Sequence, residues 1–377
     1  MSDTPVPLHG QPSLHAVQVL GGGSSGSGVH VRSLSAGLVA RGLRVTVCGP
    51  RSAEEGYGFT EAGAGFAPLD GRTDAGSVAS LRTACVGAGL VHAHGLRPGL
   101  LAALALRGRG IPLVVTWHTR AEADGPRAHL VRLMERRVAR AASVVLGASS
   151  DLVAWARDRG ARDARLAPVA VPAPRPAPET DDGARQKARA DLGAVDRGLL
   201  LAVGRLDAAA GHGALLDAAR AWRSLDPPPL LAIAGEGPDR ALLQRRIDTE
   251  GLPVRLLGRR DDVPGLLAVA DVAVLSSRWE ARSLLAQEAL HAGVPLVATA
   301  VGGVPELVGE AAELVPYGDS GALADAVIRL LADPGRRAEL TAAGRARTAE
   351  WPTEDDTVAH VLSVYDELVQ TFLCVGG

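Results

Sequence analysis

The sequence predicts an α/β protein with two doubly wound, parallel-sheet domains. Short apolar runs alternate with amphipathic stretches of helical length along the whole chain. The runs lack the polar–apolar alternation of a half-exposed sheet, so we expect strands that helices cover on both faces. One proline-dense stretch, Val171–Thr180, interrupts the pattern and divides the chain nearly in half. Because it can continue neither a helix nor a central strand, we interpret it as a linker.

The first half opens with a predicted strand followed by an amphipathic helix. The helix is expected over Val31–Arg41, because Val31, Leu34 and Leu38 are spaced to share one face. Short apolar runs predict the strands His15–Leu20, Val45–Cys48, Leu90–His92, Leu113–Trp117 and Ser143–Gly147.

The second half repeats this organisation and ends in a helix. Its apolar runs predict the strands Leu199–Val203, Leu230–Ala234, Val254–Leu257, Val272–Ser276 and Pro295–Thr299. After Pro352, Thr353 is expected to cap a helix with an acidic first turn. We therefore expect an N-terminal domain at 1–171, the linker at 172–180, a C-terminal domain at 181–352 and a final helix at 353–377 that packs back toward the N-terminal domain.

Composition excludes several classes of protein. A net charge of −2 over 377 residues argues against a protein that binds nucleic acid, because such proteins usually carry excess positive charge. The chain has three cysteines, Cys48, Cys85 and Cys374, and no two of them form a C-x-x-C pair. An odd number of widely spaced cysteines disfavours a disulfide framework or a zinc-ribbon site. The N-terminus lacks the order of a signal peptide, and no uncharged apolar stretch reaches the ~18 residues of a membrane span. We expect a cytoplasmic protein.

A glycine-rich loop follows the first predicted strand. Gly21, Gly23 and Gly26 spell G-x-G-x-x-G, which is typical of dinucleotide sites. Such a site also needs an acid at the end of the second strand, where this chain has Cys48, Gly49 and Pro50. The loop therefore favours another anion at a helix N-terminus, and a strand–helix turn without a ligand stays open.

A more specific pattern follows the predicted strand at Val272–Ser276. Glu280 falls in the connecting loop, and Glu288 lies inside a helix that is expected to begin near Ser283. Free amides at a helix start suit a diphosphate, and a carboxylate further along suits the vicinal hydroxyls of a ribose or sugar. The alternative is that Glu280 caps its loop locally and that Glu288 is a solvated helix residue.

Several motifs together resemble one known family. The segments Val203–Ala218, Ile233–Pro238 and Leu256–Glu280, with the Glu-x7-Glu pair, are similar to the donor domain of retaining nucleotide-sugar glycosyltransferases of family 4. In the first half the glycine loop, Val91–Gly95 and Val114–Thr119 occur in the family's order. The resemblance implies the GT-B fold, in which two Rossmann-like domains face each other across a cleft. It also implies transfer of a sugar from a UDP-, GDP- or ADP-sugar to an acceptor, with retention of configuration.

The resemblance assigns roles in the second half residue by residue. Glu288 would hold the donor ribose, and Glu280 would face hydroxyls of the transferred sugar. Arg205 would neutralise the diphosphate, with help from three backbone amides, those of Ser283, Leu284 and Leu285.

The resemblance also assigns roles in the first half. Gly22, Gly23 and Gly26 would approach the same phosphates, and His118 would lie next to the anomeric centre. Members of this kind need neither a metal nor another cofactor. His92 and His94 end a predicted strand, where contact with the acceptor and ordinary structural hydrogen bonding are both open.

One position departs from the family pattern. Ala210 stands where the family has a lysine that helps Arg205 to clamp the diphosphate. Either a neighbour such as His212 or Arg282 substitutes, or the enzyme is slow, or catalysis has been lost. Ser283 also replaces the family's usual glycine. Two alternatives to a transferase therefore stay open: a nucleotide-sugar epimerase, and a catalytically silent nucleotide-binding protein of the same fold.

A basic helix is predicted near the middle of the first domain. Arg132, Arg136 and Arg140 recur every fourth residue, and Leu133, Met134 and Val138 are expected on the opposite side. Such a helix can rest on anionic lipid, so peripheral contact at the inner membrane surface is one interpretation. A solvated helix face is the other.

Overall fold

The computed structural model describes residues 13–21, 25–69, 73–120, 125–167, 169–170 and 181–375. The chain divides into two compact units: residues 1–171 with 352–377 form unit 1, and residues 172–351 form unit 2. The stretch interpreted as a linker lies outside the described residues, and so do Gly22 and Gly23.

Unit 1 is built on a seven-stranded parallel sheet with the order β3-β2-β1-β4-β5-β6-β7. Its strands are β1 His15–Leu20, β2 Arg44–Gly49, β3 Gly65–Pro68, β4 Leu90–His94, β5 Leu113–Trp117, β6 Val144–Gly147 and β7 Ala164–Leu166. Its helices are α1 Ser25–Ala40, α2 Arg51–Tyr57, α3 Ala75–Ala84, α4 Leu96–Ala105, α5 Pro126–Ala141, α6 Ser150–Asp158 and α15 Glu354–Val375.

The final helix belongs to the core of unit 1. Val361 and Tyr365 of α15 are buried in one cluster with Leu34 and Leu38 of α1. The Thr353 hydroxyl accepts a hydrogen bond from the Asp356 amide at 3.1 Å, and the Asp356 carboxylate accepts one from the Thr353 amide at 2.9 Å. This reciprocal cap confirms the predicted start of the helix.

Unit 2 has a six-stranded parallel sheet with the order β10-β9-β8-β11-β12-β13. Its strands are β8 Leu199–Val203, β9 Leu230–Ala234, β10 Val254–Gly258, β11 Val272–Leu275, β12 Leu296–Thr299 and β13 Glu313–Val315. Its helices are α7 Asp182–Leu192, α8 His212–Trp222, α9 Arg240–Glu250, α10 Val263–Val269, α11 Leu284–His291, α12 Val304–Val308, α13 Ser320–Ala332 and α14 Pro334–Ala349, and a 3₁₀ turn spans Ala208–Ala210.

The two doubly wound sheets confirm the predicted fold class. Every predicted strand is present, and the bounds differ by at most a few residues. The sequence analysis missed β3, β7 and β13, which lie at sheet edges and have only three or four residues each. Edge strands of three or four residues are too short for an apolar pattern to identify them, and they are covered less completely than the central strands.

Strand order marks one crevice in each sheet. The order reverses between β1 and β4 in unit 1 and between β8 and β11 in unit 2. Loops that leave two such strands diverge to opposite faces of the sheet, so ligands of open α/β sheets bind there, beyond the carboxyl ends of the strands.

Candidate active site

The loops that follow β8 and β11 are hydrogen-bonded to each other. The amide of Arg278 donates to the carbonyl of Ala209 at 2.8 Å, and the hydroxyl of Ser276 donates to the carbonyl of Ala210 at 2.9 Å. The Asp207 carboxylate accepts from the amides of Ala209 and Ala210, and it thereby caps the 3₁₀ turn. Position 210 is thus held against the loop that contains Glu280.

Gly211 permits this close approach. Its φ of +71° lies in the left-handed region, and a Cβ built there would stand 1.9 Å from the carbonyl oxygen of Ser276. Any other residue would therefore force the two loops apart.

A cavity of about 150 Å³ lies between these two loops. Arg205, Ala210, His212, Ser277 and Glu280 are among its lining residues. The structure therefore brings together the predicted diphosphate arginine, the position of the missing lysine and the predicted sugar-facing carboxylate.

Arg205 and Glu280 differ in their surroundings. The Arg205 side chain is 73% exposed, and its Nε lies 3.0 Å from an Asp207 carboxylate oxygen. Glu280 is half-buried, and Oε1 accepts a hydrogen bond from the Ser277 hydroxyl at 3.0 Å. Burial raises the pKa of Glu280 above its usual value, which the Ser277 hydrogen bond partly offsets.

Helix α11 begins where the sequence predicts. Ser283 is its N-cap, and the hydroxyl oxygen accepts from the Ala286 amide at 3.3 Å. The amides of Leu284 and Leu285 in the first turn have no acceptor within the helix, and no acidic residue occupies that turn. Helix α8, which follows β8, also begins without an acidic residue in its first turn. The start of each helix therefore favours an anion.

Glu288 lies one turn further along α11. It is half-buried, burial raises its pKa, and among the described residues its carboxylate has no hydrogen-bond or ion-pair partner. Glu288 and the stretch Ser283–Leu285 are not among the residues that line the 150 Å³ cavity.

The two candidates for the missing cation are placed differently. His212 is the first residue of α8, lines the cavity and is 4% exposed, and its Nδ1 has no hydrogen-bond partner among the described residues. Burial lowers its pKa, so the free imidazole is neutral at pH 7. Arg282 instead lies 5.9 Å from the ring of Trp351, and burial lowers its pKa to about 10. Arg282 does not line the cavity.

His118 is half-buried and lies beside the buried His30 and His94 in unit 1. It follows β5, His94 ends β4, and His30 lies on α1. The His94 Nδ1 and the His118 Nε2 are 3.2 Å apart. Burial lowers the pKa of His118 to about 4 and those of His30 and His94 well below the usual value. Gly26, in the first turn of α1, has open space where a Cβ would be.

His92 is a structural residue of β4. Its Nε2 lies 2.7 Å from the Thr116 hydroxyl, and its Nδ1 lies 2.6 Å from the hydroxyl of Tyr365. Both ring nitrogens are therefore occupied, and the structural interpretation holds for this residue.

Sequence reasoning missed the group of His30, His94 and His118, because α1, β4 and the segment after β5 are distant in sequence.

The basic helix prediction is partly wrong. Val138 of α5 is buried as expected, but Leu133 is 48% exposed, so it does not belong to the buried face. Glu135 lies on that face instead, where it pairs with Arg159 at 2.7 Å.

Within the described residues, no helix is long and apolar enough to cross a bilayer.

Two family models match this chain. "Glycosyl transferase 4-like domain" matches residues 25–172, and "Glycosyl transferases group 1" matches residues 184–347. These ranges fall on unit 1 and unit 2 respectively.

Curated relatives and solved structures agree with the models. The chain is 33% and 32% identical to the D-inositol 3-phosphate glycosyltransferases of Salinispora tropica and Salinispora arenicola. The matches cover 74% and 75% of this chain, and 64% and 69% of those relatives. Anabaena HepE in complex with UDP-glucose superposes with a TM-score of 0.79 at 19% identity, over 93% of this chain and all of that one. The chain therefore belongs to the GT4-type glycosyltransferases and has the GT-B fold.

Proposed function

We propose that this protein transfers a sugar from a nucleotide-diphosphate donor to an acceptor, with retention of the anomeric configuration. The cavity between the loops after β8 and β11 is the observation that carries the proposal, because it joins an exposed arginine and a half-buried carboxylate at a strand-order reversal. The UDP-glucose complex of Anabaena HepE supports a nucleotide-sugar donor.

Charge separation is the step that these residues would assist. Breaking the anomeric bond leaves negative charge on the diphosphate and positive charge on the sugar. Arg205 and the starts of α8 and α11 would stabilise the diphosphate as preorganised positive groups. Glu280 would bind hydroxyls of the sugar, and Glu288 would bind those of the ribose.

His212 is our choice for the residue that replaces the missing lysine. It lines the same cavity as Ala210, whereas Arg282 does not. A diphosphate beside the neutral imidazole would raise its pKa again, since an opposite charge favours the protonated form. The unpartnered Nδ1 would then gain an acceptor.

In this proposal, residues of unit 1 also contact the donor. This assignment rests on the resemblance to the family. Gly22, Gly23 and Gly26 are assigned to the phosphates, and His118 is assigned to the region of the anomeric carbon. Gly26 is compatible with this role because nothing lies within 4 Å of its Cβ position.

A silent nucleotide-binding protein is the second candidate, and Ala210 is the observation that favours it. A calorimetric titration with UDP-, GDP- and ADP-sugars, followed by an assay for released nucleotide, separates the candidates. Binding with release of nucleotide supports transfer. Binding without any product supports the silent protein, and isomerised sugar would identify an epimerase. No binding of any nucleotide sugar would contradict all three.

A further inference from the structure

We infer that His30, His94 and His118 form a binding site in unit 1 for a divalent metal ion of the Zn²⁺ type. Each of these residues offers one ring nitrogen, and the three nitrogens all lie within 4.8 Å of one another. His30 and His94 are 4% exposed, and His118 is half-buried, so one side of the group is accessible to solvent.

The spacing suits tetrahedral coordination. Zn–N bonds of 2.0–2.1 Å at a tetrahedral angle place two ligand nitrogens about 3.3 Å apart. The His94 Nδ1 and the His118 Nε2 are 3.2 Å apart. The His30 ring lies 5.7 Å from the His94 ring and 5.3 Å from the His118 ring, between centroids. The other two nitrogen separations are at most 4.8 Å, so side-chain rotations must shorten them by up to about 1.5 Å for all three nitrogens to contact one ion.

The backbone presents two of the ligands together. Strands β4 and β5 pair in parallel, with His94 opposite Thr116, so His118 emerges two residues beyond that partner. The His94 and His118 rings stack at 5.5 Å with 19° between their planes. His30 approaches them from α1, across the strand-order reversal between β1 and β4.

A second layer of hydrogen bonds orients His94. Its Nε2 donates to the Oε1 of Gln18 at 2.8 Å, which leaves the lone pair of a neutral ring on Nδ1, toward His118. The Gln18 amide is itself oriented, because its Nε2 donates to the Tyr365 hydroxyl at 2.9 Å. Metal-binding histidines commonly donate their other ring N–H to a carbonyl or carboxylate oxygen in this way.

The ligand set selects the class of ion. Three imidazoles with a fourth position for water or another ligand suit Zn²⁺, Co²⁺ or Cu²⁺. Mg²⁺ and Ca²⁺ prefer oxygen ligands, and the group contains none. Without a metal, the His118 Nε2–H donates to the His94 Nδ1, and this is the competing state.

Equilibrium dialysis of the full chain without a histidine tag, with Zn²⁺ alone and metal analysis, tests the inference. We expect about one bound Zn²⁺ per chain, and at least about tenfold weaker binding in His30→Ala and His94→Ala. His129→Ala and His360→Ala change exposed histidines and should bind as the parent does. Excess Mg²⁺ should not displace the ion.

Two results would overturn the site. One is a parent that binds no Zn²⁺ at micromolar concentration, and the other is Zn²⁺ binding that both His30→Ala and His94→Ala retain in full. If these variants fail to fold, Co²⁺ added to the parent decides: a tetrahedral visible spectrum that Zn²⁺ abolishes supports the site, and an octahedral spectrum like that of aqueous Co²⁺ contradicts it. All of these readouts are independent of the proposed transfer activity.

Discussion

At the scale of single residues, Ala210 distinguishes this chain from the lysine-bearing pattern of its family. Ala210 lines the same cavity as Arg205 and Glu280, so we expect a cation at this position to reach the proposed diphosphate region. The structure also separates the two proposed substitutes, because only His212 lines that cavity.

His212 already supplies the second positive charge in our proposal, so Ala210→Lys should change donor binding or turnover little, and a gain of about tenfold, or 1.4 kcal/mol, would show instead that the clamp lacks this charge. His212→Ala should weaken donor binding in the parent. Calorimetry with the UDP-, GDP- and ADP-sugars and a nucleotide-release assay measure both effects.

Ala208→Lys is the matched control for this prediction. It adds the same charge within the same 3₁₀ turn, but at an exposed position that does not line the cavity. An equal gain in Ala208→Lys and Ala210→Lys would mean that the effect is general electrostatics rather than a restored clamp.

Glu288 provides a second test at this scale. Glu288→Ala should weaken nucleotide binding by about 1–3 kcal/mol, because the ribose hydroxyls would lose a charged acceptor. The melting temperature without ligand should change little, since the carboxylate has no partner among the described residues. Glu288→Gln keeps the size and should retain part of the affinity, and unchanged affinity in both variants rules out the ribose role.

At the scale of elements, the site depends on how closely two loops can approach. The loops after β8 and β11 belong to neighbouring strands, and hydrogen bonds from Ser276 and Arg278 hold the 3₁₀ turn in place. Gly211 makes this approach possible, so we expect the arrangement of the cavity to be sensitive to its replacement.

Gly211→Ala should lower the free energy of unfolding by more than the 1–3 kcal/mol of an unfavourable φ alone, because its Cβ would overlap the Ser276 carbonyl. Nucleotide affinity should fall with it. Denaturant unfolding and calorimetry measure these quantities. Gly213→Ala, in the first turn of α8, has open space at its Cβ and should be neutral or stabilising. Equal destabilisation by the two variants would contradict the role given to Gly211.

At the scale of the whole molecule, each unit carries one candidate site at the reversal of its strand order. The cavity of unit 2 is lined by Arg205, His212 and Glu280, whereas the proposed site of unit 1 consists of three histidines. Their chemistry differs, so an ion held by the histidines need not take part in neutralising the diphosphate.

Transfer should accordingly be independent of Mg²⁺ and Mn²⁺. After treatment with EDTA and desalting, the protein should turn over donor at the same rate with and without millimolar Mg²⁺ or Mn²⁺, because Arg205 and the helix starts supply the positive charge. The nucleotide-release assay measures this rate. Activity that is absent until either ion is added would show that the diphosphate needs a metal that our proposal omits.

Some features of this protein are determined by the sequence alone. The strands β1, β5, β8 and β9 have the predicted bounds, since a parallel strand that helices cover on both faces is mostly apolar. The cap at Thr353 and the start of α11 near Ser283 are equally local, because each depends on a side chain and the amides of the next turn.

The tertiary structure decided the rest. Local patterns encode the burial of each residue but not which strands become neighbours, so the contact between the Ala210 turn and the Ser276 loop was not predictable. For the same reason, His30, His94 and His118 come together only when β4 and β5 pair and α1 packs beside them. The choice of His212 over Arg282 also follows from packing. The Arg282 guanidinium lies 5.9 Å from the ring of Trp351, whereas His212, at the start of α8, lines the cavity.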